Sequence, residues 1–299
     1  MTHAPVSPSA ALVQGGVDTG AFHAAGALAP IGVFDSGVGG LSVLRHIRAQ
    51  LPAEDLLYFA DGAFAPYGEK SEQVLAERAL AIARFLRARG AKALVVACNT
   101  ATVAAIKLLR DTWPDMPIVG VEPGLKPGAA ATRSGKVGVM ATEATLAGEK
   151  FLLLRDQITE TSGAQFVLQG CAGLADAVDL GELSSEATVA LLEGFIDPML
   201  AAGADTLVLG CTHYPFVQQA IEDILQRRGA HHVVLVDTGD AVARQLARLL
   251  EGAGLLRSSA SGAGGSLTGF TSGAAETLSF GFRTLLQVDA PVHEVPSLG

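Results

Sequence analysis

Two cysteines stand at equivalent places in two copies of one pattern, Ala93-Leu94-Val95-Val96-Ala97-Cys98-Asn99-Thr100 and Thr206-Leu207-Val208-Leu209-Gly210-Cys211-Thr212-His213. Each copy reads as a buried strand that delivers a thiol at its carboxyl end, where open α/β sheets place their ligands. If the two copies face each other, the thiols reach opposite sides of one crevice. That arrangement suits removing a proton from one face of a carbon and returning one to the other. A lone cysteine after an apolar strand is more often core than catalyst, because free cysteine is among the most buried residue types. The matched positions single out this pair, whereas Cys171 has no partner motif and reads as structural.

Such chemistry needs thiols whose ionisation is adjusted, since a free thiol near pKa ~8.5 is only a few per cent thiolate at neutral pH. Helix N-termini after both cysteines would lower it, and the N–H groups and hydroxyls of Asn99, Thr100 and Thr212 there suit a carboxylate as well as serving as ordinary helix caps. The turn Asp35-Ser36-Gly37-Val38-Gly39-Gly40 is neither a GxGxxG fingerprint nor a P-loop. It fits a capped tight turn, or one that admits a small anion to backbone amides while Asp35 holds an ammonium group or steers a thiol's proton. His213, two residues past Cys211, is either an acid–base partner of that thiol or a solvent-facing cap. Pro66-Tyr67-Gly68 is either a plain turn or an aromatic wall. No zinc-ligand spacing is present, so no metal is expected.

The elements that would position these residues alternate. Pro30 to Phe34 reads as a strand before the glycine turn, and Leu41 to about Gln50 as a helix. A strand from Asp55 to Ala60, a loop from Asp61 to Gly68 and an amphipathic helix from Glu72 to Arg89 capped by Ser71 follow. After Cys98 come a helix from Thr100 to about Arg110 and a strand from Ile118 to Val121. The pattern restarts at Lys136-Val137-Gly138-Val139-Met140-Ala141-Thr142, which parallels Ile31 to Ser36, and the similar offsets of Gly32 to Gly138 and Cys98 to Cys211 point to an internal duplication. A helix near Phe216 to Arg228, a strand at His232 to Val236, a helix from Gly239 to about Glu251, and a strand and helix between Phe270 and Val288 complete the reading. The expected fold is α/β, with two pseudosymmetric doubly wound parallel-sheet domains and the site in the crevice between them. The boundaries are a disordered extension at 1–29, a discontinuous first domain at 30–121 plus 237–290, a second domain at 122–236, and a flexible Gly/Ser-rich loop at 252–267.

Composition narrows the function classes. A net charge of −9 disfavours nucleic acid or an anionic membrane as the main partner. With 49% hydrophobic residues in 299, the chain has ample core-forming material. Three cysteines without CxxC spacing suggest free thiols in a reducing compartment, hence the cytoplasm. The first thirty residues lack the basic start of a signal peptide, and no stretch approaches the roughly 18 apolar residues of a membrane span.

Four blocks in order resemble the bacterial glutamate racemase family of the aspartate/glutamate racemase superfamily: Ile31 to Leu41, Pro66-Tyr67-Gly68, Ala97-Cys98-Asn99-Thr100-Ala101 and Leu209-Gly210-Cys211-Thr212-His213-Tyr214-Pro215. The resemblance covers roughly residues 30 to 290. It implies interconversion of L- and D-glutamate without cofactor, supplying D-glutamate for peptidoglycan, in a cytoplasmic homodimer. It further implies that Cys98 takes the α-proton from D-glutamate and Cys211 from L-glutamate, assisted by Asp35 and His213 respectively. Ser36, Pro66, Tyr67, Gly68, Asn99, Thr100, Thr142, Thr145 and Thr212, with Asp35 and His213, would bind the substrate. The family's Gly-Asp-Thr-Ala-Arg loop is here Ala60-Asp61-Gly62-Ala63-Phe64, its Gly-Thr block carries an extra carboxylate at Glu143, and its active-site glutamate is matched by the shorter Asp179. Competing readings are another racemase of the superfamily acting on aspartate or a hydantoin, a non-catalytic binding protein, and a thiol-redox protein, the last disfavoured by the lack of a resolving cysteine.

Overall fold

The computed structural model describes residues 26–258 and 264–298. Most of the expected N-terminal extension and the centre of the 252–267 loop lie outside the described residues. The first half runs β1 (Ile31–Asp35), α1 (Leu41–Gln50), β2 (Leu56–Ala60), α2 (Glu72–Ala88), β3 (Ala93–Val96), α3 (Asn99–Thr112), β4 (Ile118–Gly120) and α4 (Leu125–Ala131). The second runs β5 (Lys136–Ala141), α5 (Glu143–Ala147), α6 (Glu149–Ser162), β6 (Gln165–Gly170), α7 (Leu174–Asp179), α8 (Glu186–Ala201), β7 (Thr206–Leu209), α9 (Gln218–Arg227) and β8 (Val234–Val236). The chain then returns to the first sheet through α10 (Gly239–Gly252), β9 (Leu267–Thr271), α11 (Ala275–Gly281) and β10 (Val292–Glu294).

All pairings are parallel, in a six-stranded sheet ordered β10-β9-β2-β1-β3-β4 and a four-stranded sheet ordered β6-β5-β7-β8. The order β2-β1-β3-β4 is thus repeated as β6-β5-β7-β8, and register makes the equivalence residue by residue. Phe34 pairs with Val96 as Met140 pairs with Leu209, so Ser36 corresponds to Thr142 and Cys98 to Cys211. Gly32 and Gly138 are equivalent too. A Cβ at Gly32 would crowd Leu94 and Leu86, and one at Gly138 would crowd Leu207 and Met199, so each glycine lets a helix lie close on its central strand.

The central strands β1, β3 and β7 are buried throughout, which is why they read as continuous apolar runs. Apolar clusters cover both faces of each sheet. The elements absent from the sequence reading are the less patterned ones. Strand β6 contains Gln165 and Gln169 and is exposed or half-buried along its length, as befits an edge. Strand β10 is three residues long and largely exposed. Among the described residues no helix is long and apolar enough to cross a membrane.

Candidate active site

The carboxyl ends of both sheets open on one crevice of about 800 Å³. Every candidate site residue from the sequence lines it except Asp35: Ser36 at the end of β1, Pro66, Tyr67 and Gly68 after β2, Cys98, Asn99 and Thr100 after β3, Thr142 and Thr145 after β5, Asp179 on α7, and Cys211, Thr212 and His213 after β7. Asp35 lies fully buried behind this surface. Its carboxylate accepts the Gly40 N–H at 2.6 Å and the Ser36 hydroxyl at 3.4 Å, and the Cys98 thiol stands 3.8 Å from that same hydroxyl. The site therefore places Asp35 as a support beneath Ser36 and Cys98.

Burial pushes the Asp35 carboxyl above the usual range, although the His213 charge and the Gly40 N–H pull it back. Burial, reinforced by Asp35, also drives the Cys98 thiol well up, which favours the neutral thiol. This holds even though Cys98 is the N-cap of α3, whose N-terminus favours the anion. Desolvation wins over the helix end.

Cys211 is surrounded differently. Its Sγ lies 3.6 Å from His213 Nδ1, and His213 Nε2 lies 3.1 Å from Asp179 Oδ1. Burial alone would pull the His213 pKa down, but the hydrogen bonds to Asp179 and Cys211 overcome it and raise it well above 6.5. The expected helix N-terminus at Cys211 is absent. A bend and a 3-10 turn, Tyr214–Val217, with Pro215 in its first turn, follow it, and α9 starts only at Gln218.

Asn99 presents a buried Oδ1 with no hydrogen-bond partner, a ready acceptor for a ligand N–H. Among the described residues lining the crevice no lysine or arginine occurs, so a carboxylate there would meet backbone N–H groups and hydroxyls. Thr142 caps α5, accepting the Thr145 N–H at 3.2 Å, and the two hydroxyls lie 2.9 Å apart. No group of three or more potential metal ligands occurs among the described residues.

The departing loop has a clear structural role. Asp61 is fully buried and receives Arg78 Nε at 2.8 Å and Nη2 at 2.6 Å, Tyr67 Oη at 2.7 Å and Ser272 Oγ at 2.7 Å. The Tyr67 hydroxyl is thus engaged inward, and its ring walls the crevice. Arg78 also lies over the Phe64 ring, 4.9 Å from its centroid. Glu143 is exposed at the crevice edge, its Cγ against Gly170. The sequence reading missed Asp176, Thr277 and Leu278 in the lining. The last two come from α11, which only the return of β9 beside β2 brings to the site. Cys171, read as structural, is buried and also reaches the crevice wall; burial pushes its thiol up to about 12.

Residues 31–246 match the Asp/Glu/Hydantoin racemase family. The chain belongs to that family. The chain is 54% identical over 222 residues to the glutamate racemase of Ectopseudomonas mendocina, covering 74% of this chain and 82% of that one. Among solved structures, the family member resembles glutamate racemase from Francisella tularensis in complex with D-glutamate, at TM-score 0.77 and 27% identity over 91% of this chain and 98% of that one. It likewise resembles Escherichia coli glutamate racemase in complex with L-glutamate and the activator UDP-MurNAc-Ala, at TM-score 0.75 and 32% identity over 89% and 97%. The protein is an amino-acid racemase with two parallel-sheet α/β domains.

Proposed function

We propose that the substrate is glutamate and that Cys98 and Cys211 form a two-base pair needing no cofactor. The observation that carries this reading is the equivalence of the two thiols in register, each at the carboxyl end of the third strand of its half and both on one crevice. In the L to D direction the Cys211 thiolate takes the α-proton, and the electron pair left on Cα is delocalised towards the α-carboxylate. The Cys98 thiol then gives its proton to the opposite face, so that Cys211 ends as thiol and Cys98 as thiolate. The D to L direction reverses both roles. Asn99 and Thr100 at the head of α3, with Thr212, supply donors where charge develops, and fixed placement between the thiols supplies orientation. Asp35, acting under Ser36, and the His213–Asp179 pair manage the protons of Cys98 and Cys211 respectively. Ser36, Pro66, Tyr67, Gly68, Thr142 and Thr145 hold the remaining polar groups of the substrate. Glutamate is favoured by the relatives and by the structures of similar proteins with either enantiomer bound. On the same resemblance, the D-glutamate would serve peptidoglycan synthesis, and the enzyme would be a cytoplasmic homodimer.

Proton NMR in heavy water with L-glutamate and no added cofactor tests the reading. Loss of the α-proton signal together with loss of optical rotation is expected. Exchange of aspartate but not glutamate would keep the mechanism and change the substrate, and exchange of neither would refute the reading.

A further inference from the structure

Resting on the two-thiol reading above, we infer that Ser42 is a positioning residue that acts across the crevice on the Cys211 unit alone. In the turn after Cys211, the Tyr214 N–H donates to the Cys211 carbonyl and the Phe216 N–H to the His213 carbonyl, both at 3.1 Å. The carbonyl between them, that of Thr212, would take its bond from residue 215 by the same three-residue step. Residue 215 is proline and has no N–H. The missing donor comes from the other half of the molecule. Ser42, on the first turn of α1 and 1% exposed, has its Oγ 2.7 Å from the Thr212 carbonyl, against 2.9 Å from the Gly39 carbonyl of its own turn. A buried carbonyl left unpaired is costly, so this bond fixes the backbone between Cys211 and His213.

The glycine turn just before α1 also packs against the imidazole. A Cβ on Gly39 would fall within the His213 ring, so only glycine lets the backbone lie flat against it. Farther along α1, Arg45 lies 5.8 Å from the Phe216 ring centroid, a second contact of this helix with the turn after Cys211, and His46 Nε2 is 2.8 Å from Asp237, where the chain leaves β8 for the first half. The first half is built otherwise at the equivalent place: the Cys98 carbonyl takes the Thr102 N–H at 2.9 Å, and Asn99, which corresponds to Thr212, is already the first residue of α3. Ser42 therefore governs proton transfer at one face of the substrate.

The two enantiomers are equal in free energy, so kcat/KM stays equal in both directions in any variant, and a one-sided effect must be read from isotope effects. In Ser42→Ala, steps at Cys211 slow, and kcat/KM falls about ten- to a hundredfold. The substrate isotope effect with [2-²H]L-glutamate rises, because abstraction by Cys211 becomes more limiting. That with [2-²H]D-glutamate falls, because abstraction by Cys98 is then followed by a slower return of a proton from Cys211. Pro215→Ala restores an N–H to the turn, so adding it to Ser42→Ala should bring rates and isotope effects back towards the wild type. Melting by circular dichroism confirms that each variant is folded. Unchanged rates, a loss with both isotope effects unaltered or moving together, or no recovery in the folded double variant would overturn the inference while leaving the two-thiol reading intact. A wild-type protein inert towards both enantiomers would instead overturn that reading, and this inference with it.

Discussion

Cys98 stands at the head of a regular α-helix whose own backbone bonds locate it, whereas the residues after Cys211 form a bend and a 3-10 turn and borrow a donor from the opposite half. The sheets beneath them are alike in strand order and register, so the difference arises after the strands end. Asp35 of the first half corresponds to Ala141 of the second, and Thr100 corresponds to His213. One thiol has an acid behind it through a serine hydroxyl, and the other has an imidazole beside it backed by Asp179. The repeated topology thus supplies the placement of two thiols, and the differing loops give them different neighbours. On the proposed mechanism such asymmetry is tolerable, since each thiol must act as base in one direction and as acid in the other.

The widest break in the comparison is to remove a thiol. Cys98→Ala and Cys211→Ala should each lower racemisation by about 10²–10⁴-fold or more, the usual worth of a positioned acid or base. Serine variants preserve the packing and test the thiol itself. In heavy water, Cys98→Ser should retain slow exchange starting from L-glutamate and Cys211→Ser from D-glutamate. Equal residual exchange from both enantiomers in both variants would refute the assignment of faces.

Much of this was legible in the sequence because buried parallel strands are apolar runs and their ends carry the polar residues. Ala93 to Val96 and Thr206 to Leu209 announce themselves, and with them the positions of Cys98 and Cys211. The internal repeat followed from the same runs, whereas the strand order, which includes the unread β6, came from the structure. What the sequence concealed depends on side chains that meet from distant segments. Nothing near Asp61 signals that Arg78 and Ser272 converge on it, and nothing near Leu278 signals a place on the crevice. The helix expected near Phe216 to Arg228 is present as α9, but the expectation that Cys211 opens directly onto a helix N-terminus failed: a bend and a 3-10 turn containing Pro215, a residue equally tolerated in a helical first turn, come between.

The walls of the two halves differ in how they are held, and stability measurements expose this. Arg78→Ala leaves the buried Asp61 carboxylate without its cation and should destabilise the protein by about 3–5 kcal/mol in denaturant unfolding. Because Asp61 also anchors Tyr67, KM should rise in the surviving folded enzyme. A retained melting temperature in Arg78→Ala would show that Asp61 is satisfied by Tyr67 and Ser272 alone. On the Cys211 side, Asp179→Asn removes the charge behind His213 at a site half open to solvent, with Asp179 44% exposed. That change should spare the fold and reduce turnover up to about a hundredfold, through disordered placement of the imidazole. As with Ser42, its substrate isotope effects should move in opposite senses for the two enantiomers. Parallel movement would mean that Asp179 serves the site as a whole.

The mildest effect separates the halves by pH. His213 has a pKa raised above its unfolded value of 6.5, so the folded protein holds that proton more tightly than the unfolded chain does. The resulting stability is fully present below pH 6.5 and is lost as pH rises through the folded value, with a limiting slope of about 1.4 kcal/mol per pH unit for one proton. Cys98 and Cys171 are likewise raised, from 9.0, but the unfolded chain begins to release their protons only near pH 9, so their contribution starts to fall at higher pH. Unfolding free energy should therefore decline between pH 6.5 and 9 because of the Cys211 side, and more steeply above 9 because buried thiols on both sides join in. Asp179→Asn should flatten the first segment and leave the second, while Cys98→Ser should reduce only the second. A first segment that persists unchanged in Asp179→Asn would mean that the aspartate does not hold the proton on His213, and that the imidazole owes its charge to Cys211.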